Sequence, residues 1–199
     1  SSRDLYLKGQ GTIPSDTACF PAKLAHGHIE FLSRLKLDAI FYPCMTYNID
    51  EGLSDNHYNC PVVAYYPEVI AGNCPEIKGT RFIYDYVGPH RPKDFTRKMY
   101  DILRREFPDI KRGEVRAAAD AAYAEYANHM SLIRREGERI IRQARAEGRR
   151  IIVLAGRPYH VDPEVNHGID TLITRFGAAV VTEDSISNLV EKFPTTVLN

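Results

Sequence analysis

Four cysteines are the residues best suited to chemistry in this chain of 199 residues, and they lie at positions 19, 44, 60 and 74. Cys19 directly precedes a predicted helix, whose free backbone N–H groups favour a thiolate. Cys44 follows a predicted strand, and ligands bind at the carboxyl ends of strands in open α/β sheets. Cys60 precedes a second apolar run, which we predict to be a strand over 62–66. Thiolates in such positions are candidate metal ligands or nucleophiles.

The spacing of these cysteines leaves several uses open. Intervals of 25 residues between Cys19 and Cys44 and of 16 between Cys44 and Cys60 match neither a CxxC knuckle nor a compact ferredoxin motif. A shared metal site would therefore have to be assembled by the fold, and the alternative is that the cysteines are small buried hydrophobic residues. Cys74 either completes such a site or is an unrelated loop thiol, which is the interpretation we favour.

A second group of polar side chains occupies the segment GRPYHVDPEVNHG, between a predicted strand and a predicted helix. Its candidate ligand-binding residues are Arg157, His160, Asn166 and His167, and the backbone N–H groups at the start of the helix could receive an anion. The segment lacks the glycine pattern of a phosphate-binding loop. The alternative is a turn fixed by capping from Asp162 or Asn166. We expect this loop to face the same cleft as the cysteines.

Two histidines on the first predicted helix cannot serve a single site. His26 and His28 are two residues apart, and such neighbours point to different faces of a helix. We therefore expect one of them to approach the region of Cys19 and the other to lie at the surface.

The elements that must position these residues follow an α/β pattern. We predict a cysteine-bearing α/β lobe over 1–90, a helical connection over 91–149 and the start of a second α/β lobe over 150–199. Helices are predicted from Pro21 to Leu35, over 92–107, over 114–148 (as one helix or two broken near Gly137) and at about 165–176. The predicted strands are 37–42, 62–66, 80–88, 151–156 and 178–184. The run at 151–156 is continuous and apolar, which is typical of a strand covered on both faces.

Composition and charge exclude several classes of function. Lys and Arg together number 26, as do Asp and Glu, so the net charge is 0. The basic excess lies in 91–150, where its helical spacing indicates a solvated face rather than a nucleic-acid site. No apolar run approaches the roughly 20 residues of a membrane span, and no apolar leader precedes the first helix. We expect a cytoplasmic location without disulfides, and a piece of a longer chain.

Long stretches of the sequence resemble a known family. The segments PSDTACFPAKLAHGHIEFL, AIFYPC, NCPVVAYYPEVI, LAGRPYHVDPEVNHGID and VVTEDSI are similar to a region of the large CoA-substrate-specific enzyme activases. These are fused bacterial proteins related to the 2-hydroxyacyl-CoA dehydratase and benzoyl-CoA reductase systems. The resemblance covers nearly the whole chain.

The resemblance implies a fold of two Rossmann-like lobes with mainly parallel sheets, and a dehydratase-like region that carries a 4Fe–4S cluster. Cys19 matches the first cluster ligand of the dehydratases and Cys44 the second. Cys60 is the third candidate, although the third dehydratase ligand lies much farther along the chain. No ATPase motif occurs in these residues.

The implied partners are ASKHA-type ATPase modules, on the same or another chain, and acyl-CoA dehydratase-like subunits, with neither nucleic acid nor membrane. The implied function is electron transfer in the reductive activation of a CoA-thioester dehydratase or reductase. The alternative is a structural or interaction module whose cysteines are buried or hold zinc.

Overall fold

A computed structural model describes residues 1–52 and 56–191 as two compact units, Ser1–Ala119 and the residues from Asp120 onward. The first unit contains α1 (Arg3–Gly9), α2 (Phe20–Ser33), β1 (Ala39–Phe41), α3 (Pro61–Asn73), β2 (Arg81–Ile83) and α4 (Pro92–Glu106). Helix α5 (Arg112–Ala146) runs from the first unit into the second. The second unit continues with β3 (Ile151–Leu154), α6 (Pro163–Asn166), α7 (Ile169–Arg175) and β4 (Ala179–Thr182). None of the helices in these ranges combines the length and the apolar character that a membrane span requires.

Strands β1 and β2 form a short parallel sheet in the first unit, with Ile40 opposite Phe82. The strands predicted over 37–42 and 80–88 are therefore confirmed in position, although both are shorter than predicted. An isolated parallel bridge between Cys44 and Tyr86 continues the pairing beyond the end of β1. The backbone N–H of Cys44 donates to the carbonyl oxygen of Asp85 at 3.1 Å. Cys44 is thus fixed at the carboxyl end of the sheet, as its position in the sequence suggested.

The strand predicted over 62–66 is wrong, because this segment forms helix α3. Pro61 occupies the first turn, where its missing N–H group leaves no hydrogen bond unmade. Parallel strands such as β1 and β2 also require a crossover connection, which is usually a helix. Burial of Tyr66 and Ile70 against the rest of the unit outweighs the β propensity of the Val and Tyr residues. The correction places Cys60 at the start of a helix rather than at the start of a strand.

Helices α2 and α3 share one hydrophobic core with β1. Its buried members come from α2, β1, α3 and the 3₁₀ turn that follows α3, namely Ala22, Ile29, Ile40, Tyr66, Ile70, Cys74 and Ile77. A second core joins β2 to α4 and the start of α5, through Ile83, Val87, Met99, Ile102 and Val115. The candidate cysteines therefore lie on elements that are held together by the first core.

Helix α1, which the sequence analysis did not predict, crosses α2 at a contact between two glycines. A Cβ atom on Gly27 would lie 2.0 Å from the carbonyl oxygen of Leu5, and one on Gly9 would lie 2.2 Å from the backbone nitrogen of Gly27. Both distances are far below any real contact, so neither position accepts a side chain while the backbones stay in place. The predicted helix from Pro21 onward is confirmed as α2, and Gly27 is the residue that lets α1 dock on it.

The second unit is built on the parallel pair β3 and β4, with Ile151 opposite Ala179. This pairing confirms the strands predicted over 151–156 and 178–184 and the βαβ connection between them. The expectation that β3 is covered on both faces is wrong for this structure, since Ile152 and Val153 are 41% and 44% exposed. Helix α5 continues through Gly137, where a Cβ atom would lie 2.3 Å from the carbonyl oxygen of Ser185.

The helix predicted at about 165–176 is interrupted. The backbone of His167 and Gly168 turns through the left-handed region, with φ values of 54° and 78°. This turn separates α6 from α7, because two successive left-handed residues cannot continue a right-handed helix.

Candidate functional site

Two of the cysteines occupy equivalent positions on neighbouring helices. Cys19 is the N-cap of α2 and Cys60 is the N-cap of α3, with φ and ψ of −63° and 153° and of −61° and 153°. Each is followed by a proline in the first helical turn. Cys19 is exposed and Cys60 is partly exposed. Both residues therefore stand at a helix N-terminus, although neither side chain hydrogen-bonds to the free N–H groups of the first turn.

Helices α2 and α3 pack against each other around His26. The charge of Cys19, at the start of α2, acts on Tyr66, whereas the charge of Glu30, near the end of α2, acts on Cys74 at the end of α3. His26 lies between these positions on α2 and contacts both Tyr66 and Cys74.

The carboxyl end of the sheet carries Cys44. Helix α3 returns the chain from the carboxyl end of β1 to the start of the parallel strand β2, so topology predicts its N-terminus on the side where β1 ends. The Cys44 thiol itself contacts the backbone of Glu68, eight residues after Cys60. We call the predicted grouping of Cys19, Cys44 and Cys60 the cysteine edge. The sequence analysis left Cys60 in doubt because a strand there would have begun at the opposite edge.

The Cys44 thiol is buried, whereas the other two thiols of the cysteine edge are accessible. Cys44 has an exposed fraction of 0%. Burial raises the pKa of its thiol, the nearby charge of Glu68 raises it further, and a hydrogen bond from the Glu68 backbone opposes these effects. Cys44 is consequently a protonated thiol at neutral pH in this conformation.

The cysteine edge does not form a closed ligand set. Within residues 1–52 and 56–191, no three or more His, Cys, Asp or Glu side chains are grouped so that they could hold a metal ion. All four cysteines are free thiols. The convergence of Cys19, Cys44 and Cys60 therefore stays a prediction, as does their sharing of a metal.

Behind the cysteine edge, a buried chain of hydrogen bonds links α2 to α3. The imidazole of His26, with an exposed fraction of 0%, has its Nε2 atom 2.9 Å from the Tyr66 hydroxyl and its Nδ1 atom 2.8 Å from the Thr12 hydroxyl. The Cys74 sulfur lies 3.5 Å from the same Nδ1 atom. The Thr12 hydroxyl donates to the carbonyl oxygen of Gly9 and must therefore accept from Nδ1–H of His26. Nε2 is then unprotonated and accepts the Tyr66 hydroxyl proton.

Burial keeps this network neutral. It lowers the pKa of His26 and raises that of the Cys74 thiol. The pKa of Tyr66 is raised to about 12, first by burial and then by the charges of Cys19, Tyr42 and Cys74. The neighbouring Glu30 is also buried, and its Oε2 atom has no hydrogen-bond partner in the described structure. His28 is exposed, as the sequence predicted for one of the two histidines, whereas His26 is buried against Thr12, Tyr66 and Cys74, and its approach to Cys19 stays a prediction.

In the second unit, the predicted ligand-binding loop uses several of its polar groups to fix its own turns. The backbone N–H of Arg157 donates to His160 Nδ1 at 2.8 Å. Asp162 caps α6 by accepting from the N–H of Glu164 at 2.9 Å. The buried Asn166 side chain accepts from the N–H of Gly168 at 2.7 Å. The turn-capping alternative therefore describes Asp162 and Asn166 correctly.

Arg157 and His167 present exposed side chains from this loop. Ligand binding by Arg157, His160, Asn166 and His167 stays a prediction, as does a cleft shared with the cysteines. A Cβ atom on Gly156 would lie 2.1 Å from His160 Nδ1, so this glycine leaves room for the imidazole.

A family model matches residues 1–186 of the chain and is described as the CoA enzyme activase uncharacterised domain (DUF2229). The chain belongs to this family. Searches among curated proteins and among solved structures gave no significant match. The activase membership agrees with the resemblance seen in the sequence, whereas the dehydratase-like cysteine region that the resemblance implied is not part of the family's description.

The activase domain has a further cavity of about 450 Å³ beside β2, and three of its lining residues, Glu68, Asp85 and Tyr86, are neighbours of Cys44. Its lining includes Asp85, Lys98, Arg105 and Glu106. The Arg105 guanidinium binds Asp85 through both of its terminal nitrogens and lowers the pKa of that carboxyl group. Arg105 also pairs with Glu106. The cavity thus satisfies most of its own charges and offers no strong site for an ionic ligand.

The sequence analysis missed the partners of His26. Tyr66 and Cys74 lie eight residues apart on α3 with Ile70 between them, a stripe that faces one side of a helix. That signal was present in the sequence but was hidden by the strand prediction. Thr12 could not have been found in this way, because it reaches His26 through the docking of α1.

Proposed function

We propose that this activase domain transfers electrons through a 4Fe–4S cluster held by Cys19, Cys44 and Cys60, in support of the ATP-driven reductive activation of a CoA-thioester dehydratase or reductase. The observation that carries the proposal is the cysteine edge. Two matching thiols are the N-caps of α2 and α3, and a third lies just beyond the carboxyl end of β1. Membership of the CoA enzyme activase family supplies the functional setting.

The donor chemistry of the cysteine edge fits such a group. Iron–sulfur clusters are held by cysteine thiolates, and Cys19 and Cys60 present at least partly accessible thiols at two helix N-termini. Cys44 has to lose its proton and become accessible, since burial holds its pKa high. When bound, the cluster supplies one-electron chemistry. The chain itself supplies the ligands, the N–H groups of two helix N-termini and an apolar core behind them that keeps water away.

The partners proposed for this function are ASKHA-type ATPase modules, which would supply the electron, and dehydratase-like subunits, which would receive it. We place the domain in an α/β architecture of two Rossmann-like lobes, of which the short parallel sheets would be parts. The loop with Arg157, His160, Asn166 and His167 is proposed to bind the anionic part of a cofactor. The exposed Arg157 and His167 would make the contacts, and His160 and Asn166 would shape the loop.

Anaerobic reconstitution of the full chain with iron and sulfide tests the proposal. We expect four irons and four sulfides per chain, visible absorption and an electron paramagnetic resonance signal on reduction. Cys19→Ser and Cys60→Ser should each reduce cluster content severely. Cys74→Ser is the matched control and should retain the cluster, because Cys74 belongs to the His26 network. Equal cluster content in all of these variants, or none in the unmodified chain, would contradict the proposal.

The second candidate is a structural or interaction module without a redox role. The burial of Cys44 and Cys74, with exposed fractions of 0% and 2%, favours it because buried thiols with raised pKa values are inert. Metal analysis separates the two candidates. Stoichiometric zinc, or no bound metal after anaerobic reconstitution, supports the structural module.

A further inference from the structure

We infer that the open edge of β2 is a docking site, where an extended segment of a partner protein adds a strand to the sheet with its apolar side chains on one face and its acidic side chains on the other. The inference concerns how the first unit engages a partner. It goes beyond the proposed function and does not depend on a bound cluster.

The unpaired backbone of β2 and the residues after it carries the inference. Strand β2 pairs with β1 on one side only. The hydrogen bonds that extend this pairing use the carbonyl oxygens of Ile83 and Asp85 and the N–H group of Val87. Alternate residues of a strand turn their backbone groups to opposite edges, so those of Tyr84 and Tyr86 point away from β1. In the part of the chain that the structure describes, these groups make no hydrogen bond. Free donors and acceptors in this arrangement match an added strand.

The open edge lies at the floor of the cavity of about 450 Å³. The cavity is lined by Phe82, Tyr84 and Tyr86 at the edge itself, by Glu68 of α3, and by Lys98 and Arg105 of α4. We call this cavity the edge groove. Helices α3 and α4 form its two walls because they cover opposite faces of the sheet, with Phe82 packed in the first core and Ile83 in the second. Parallel sheets that are covered on both faces usually have more than two strands.

The wall on the α3 side is aromatic. The rings of Phe82 and Tyr84 are stacked, with centroids 5.5 Å apart and an angle of 28° between the ring planes. Tyr84 is 40% exposed although its ring is large and mainly apolar. The Tyr86 hydroxyl donates to Glu68 at 2.8 Å and thereby satisfies that carboxylate in part. This wall offers contact area to apolar side chains.

The wall on the α4 side is charged. Arg105 is neutralised by Asp85 and Glu106, which it contacts at 2.5 Å and 2.8 Å. Lys98 is exposed and forms no ion pair with any residue of 1–52 and 56–191, and its charge helps to lower the pKa of Asp85. An acidic side chain on the docked segment would pair with Lys98. This wall therefore favours acidic residues in the partner, although backbone pairing supplies most of the attraction.

The two walls define the occupant. Side chains of a strand alternate between the faces of a sheet, so a segment paired with the open edge presents every second residue to each wall. The segment that fits is extended and alternates apolar with acidic residues. A second copy of this chain fits poorly, because its own open edge is recessed between α3 and α4 and carries the same Lys98.

The edge groove is close to the candidate cysteine Cys44. The N–H of Cys44 donates to the carbonyl oxygen of Asp85, so the two residues are on neighbouring strands. A strand added on the other side of β2 would lie about 10 Å from Cys44, which is two strand spacings. The docked partner would therefore lie beside this cysteine whether or not Cys44 binds a metal.

A peptide titration of the isotope-labelled full chain tests the inference by nuclear magnetic resonance. The probe is acetyl-Thr-Val-Glu-Val-Glu-Val-Thr-amide. We expect chemical shift changes at the edge groove and slower hydrogen exchange of the Tyr84 and Tyr86 amides, because these N–H groups become bonded. Two control peptides carry N-methyl groups on the Val or on the Glu residues. One of them should fail to bind, because its methylated nitrogens face β2, and the other should bind like the probe.

Two pairs of variants test the backbone and the charge separately. Tyr84→Pro removes an N–H group that faces the groove, at an edge position where proline is tolerated, and should weaken binding about ten-fold or more. Tyr84→Phe keeps that N–H group and should bind normally. Lys98→Glu should weaken binding of the probe about five-fold and favour a peptide with Lys in place of Glu. Lys93→Glu, also on α4 but outside the groove, should change neither affinity.

Several outcomes would overturn the inference. They are the absence of shift changes at the groove with about 1 mM probe, equal affinity of the probe and both methylated peptides, and equal affinity of Tyr84→Phe and a folded Tyr84→Pro. A chain that forms dimers in sedimentation velocity, and becomes monomeric as Tyr84→Pro, would assign the edge to a second copy instead. The methylated peptides decide the question even if Tyr84→Pro does not fold, since they need no variant.

Discussion

The polar residues of the two candidate sites, one in each compact unit, are used in opposite ways. In the first unit, His26 bonds to Thr12, Tyr66 and Cys74, which are 14, 40 and 48 residues away. In the second unit, the side chains of His160, Asp162 and Asn166 bond to backbone groups two or three residues away.

The difference separates polar residues that join elements from polar residues that shape a turn. A cluster of polar residues in sequence, such as GRPYHVDPEVNHG, satisfies much of its hydrogen-bonding potential locally. A polar residue on the core face of a helix has no local partner and has to be satisfied by another element. The scattered residues of the first unit therefore form a site that depends on the fold, whereas the clustered ones form their turns largely by themselves.

The largest expected effect comes from disrupting the first unit, where α1 packs on α2. Gly27→Ala places a methyl group against the Leu5 carbonyl oxygen and should lower the free energy of unfolding by about 3 kcal/mol or more, because backbone has to move. Gly156→Ala should cost only about 1 kcal/mol, because its methyl group meets the His160 ring, which can rotate. Urea denaturation followed by circular dichroism measures both. Gly72→Ala is the control, since no atom of residues 1–52 and 56–191 lies within 4 Å of the added methyl group and alanine favours the helix.

Removal of one hydroxyl tests the network itself. Tyr66→Phe leaves the buried Nε2 atom of His26 without a donor and should reduce the free energy of unfolding by about 1–3 kcal/mol. The neighbouring Tyr65→Phe is the matched control and should change it by less than about 0.5 kcal/mol, because Tyr65 is 48% exposed. Equal effects of the two substitutions in denaturant titrations would show that the hydrogen bond to His26 is unimportant.

The pH dependence of stability tests the buried His26 of the first unit. Burial lowers the pKa of His26 below its ordinary 6.5, so the unfolded chain binds a proton more readily than the folded chain. Stability should therefore fall as the pH drops below about 6.5, and this loss should continue down to the lowered folded-state pKa. His26→Gln should remove this part of the decline, whereas His28→Gln should leave it unchanged. Tyrosine fluorescence can follow unfolding at each pH, because the chain has 12 Tyr and no Trp. A decline that survives in His26→Gln would assign it to other groups.

The smallest effect is expected in the segment GRPYHVDPEVNHG of the second unit, whose side chains bond to nearby backbone. Asp162→Ala removes the cap of α6 and should cost about 1 kcal/mol, the usual value of an N-cap. Asp162→Asn retains an acceptor oxygen and should recover most of that loss. Thermal denaturation and limited proteolysis within 157–168 provide the measurements. A loss much above 2 kcal/mol would mean that the loop depends on distant contacts as the first unit does.

Helices and strands with regular spacing of apolar residues could be predicted from the sequence. Helices α2, α4 and α5 and strands β1, β2, β3 and β4 all carry regular apolar spacing, and the structure contains each of them. Helix α3 was mistaken for a strand because Val62, Val63, Tyr65 and Tyr66 favour strands, and only packing against α2 and the sheet decides the matter. Helix α1 was missed because its seven residues give almost no apolar period.

The candidate site was predictable only in part. Cys19 and Cys44 were placed correctly at a helix start and at a strand end, since both positions depend on neighbouring residues in sequence. The placement of Cys60 inherited the error in α3. The His26 network could not be derived, because it requires the relative orientation of two helices and the docking of a third.

The crossing of α1 and α2 has a consequence for how the first unit opens. Backbone meets backbone at Gly9 and Gly27, so intermediate separations would leave a gap that no side chain fills. Such an interface favours two states, docked and detached, rather than a graded loosening. Detachment also removes Thr12 from His26 and leaves the buried Nδ1–H group without its acceptor. Residues 1–12 should therefore exchange their amide hydrogens with solvent as one cooperative group, together with the amides around His26.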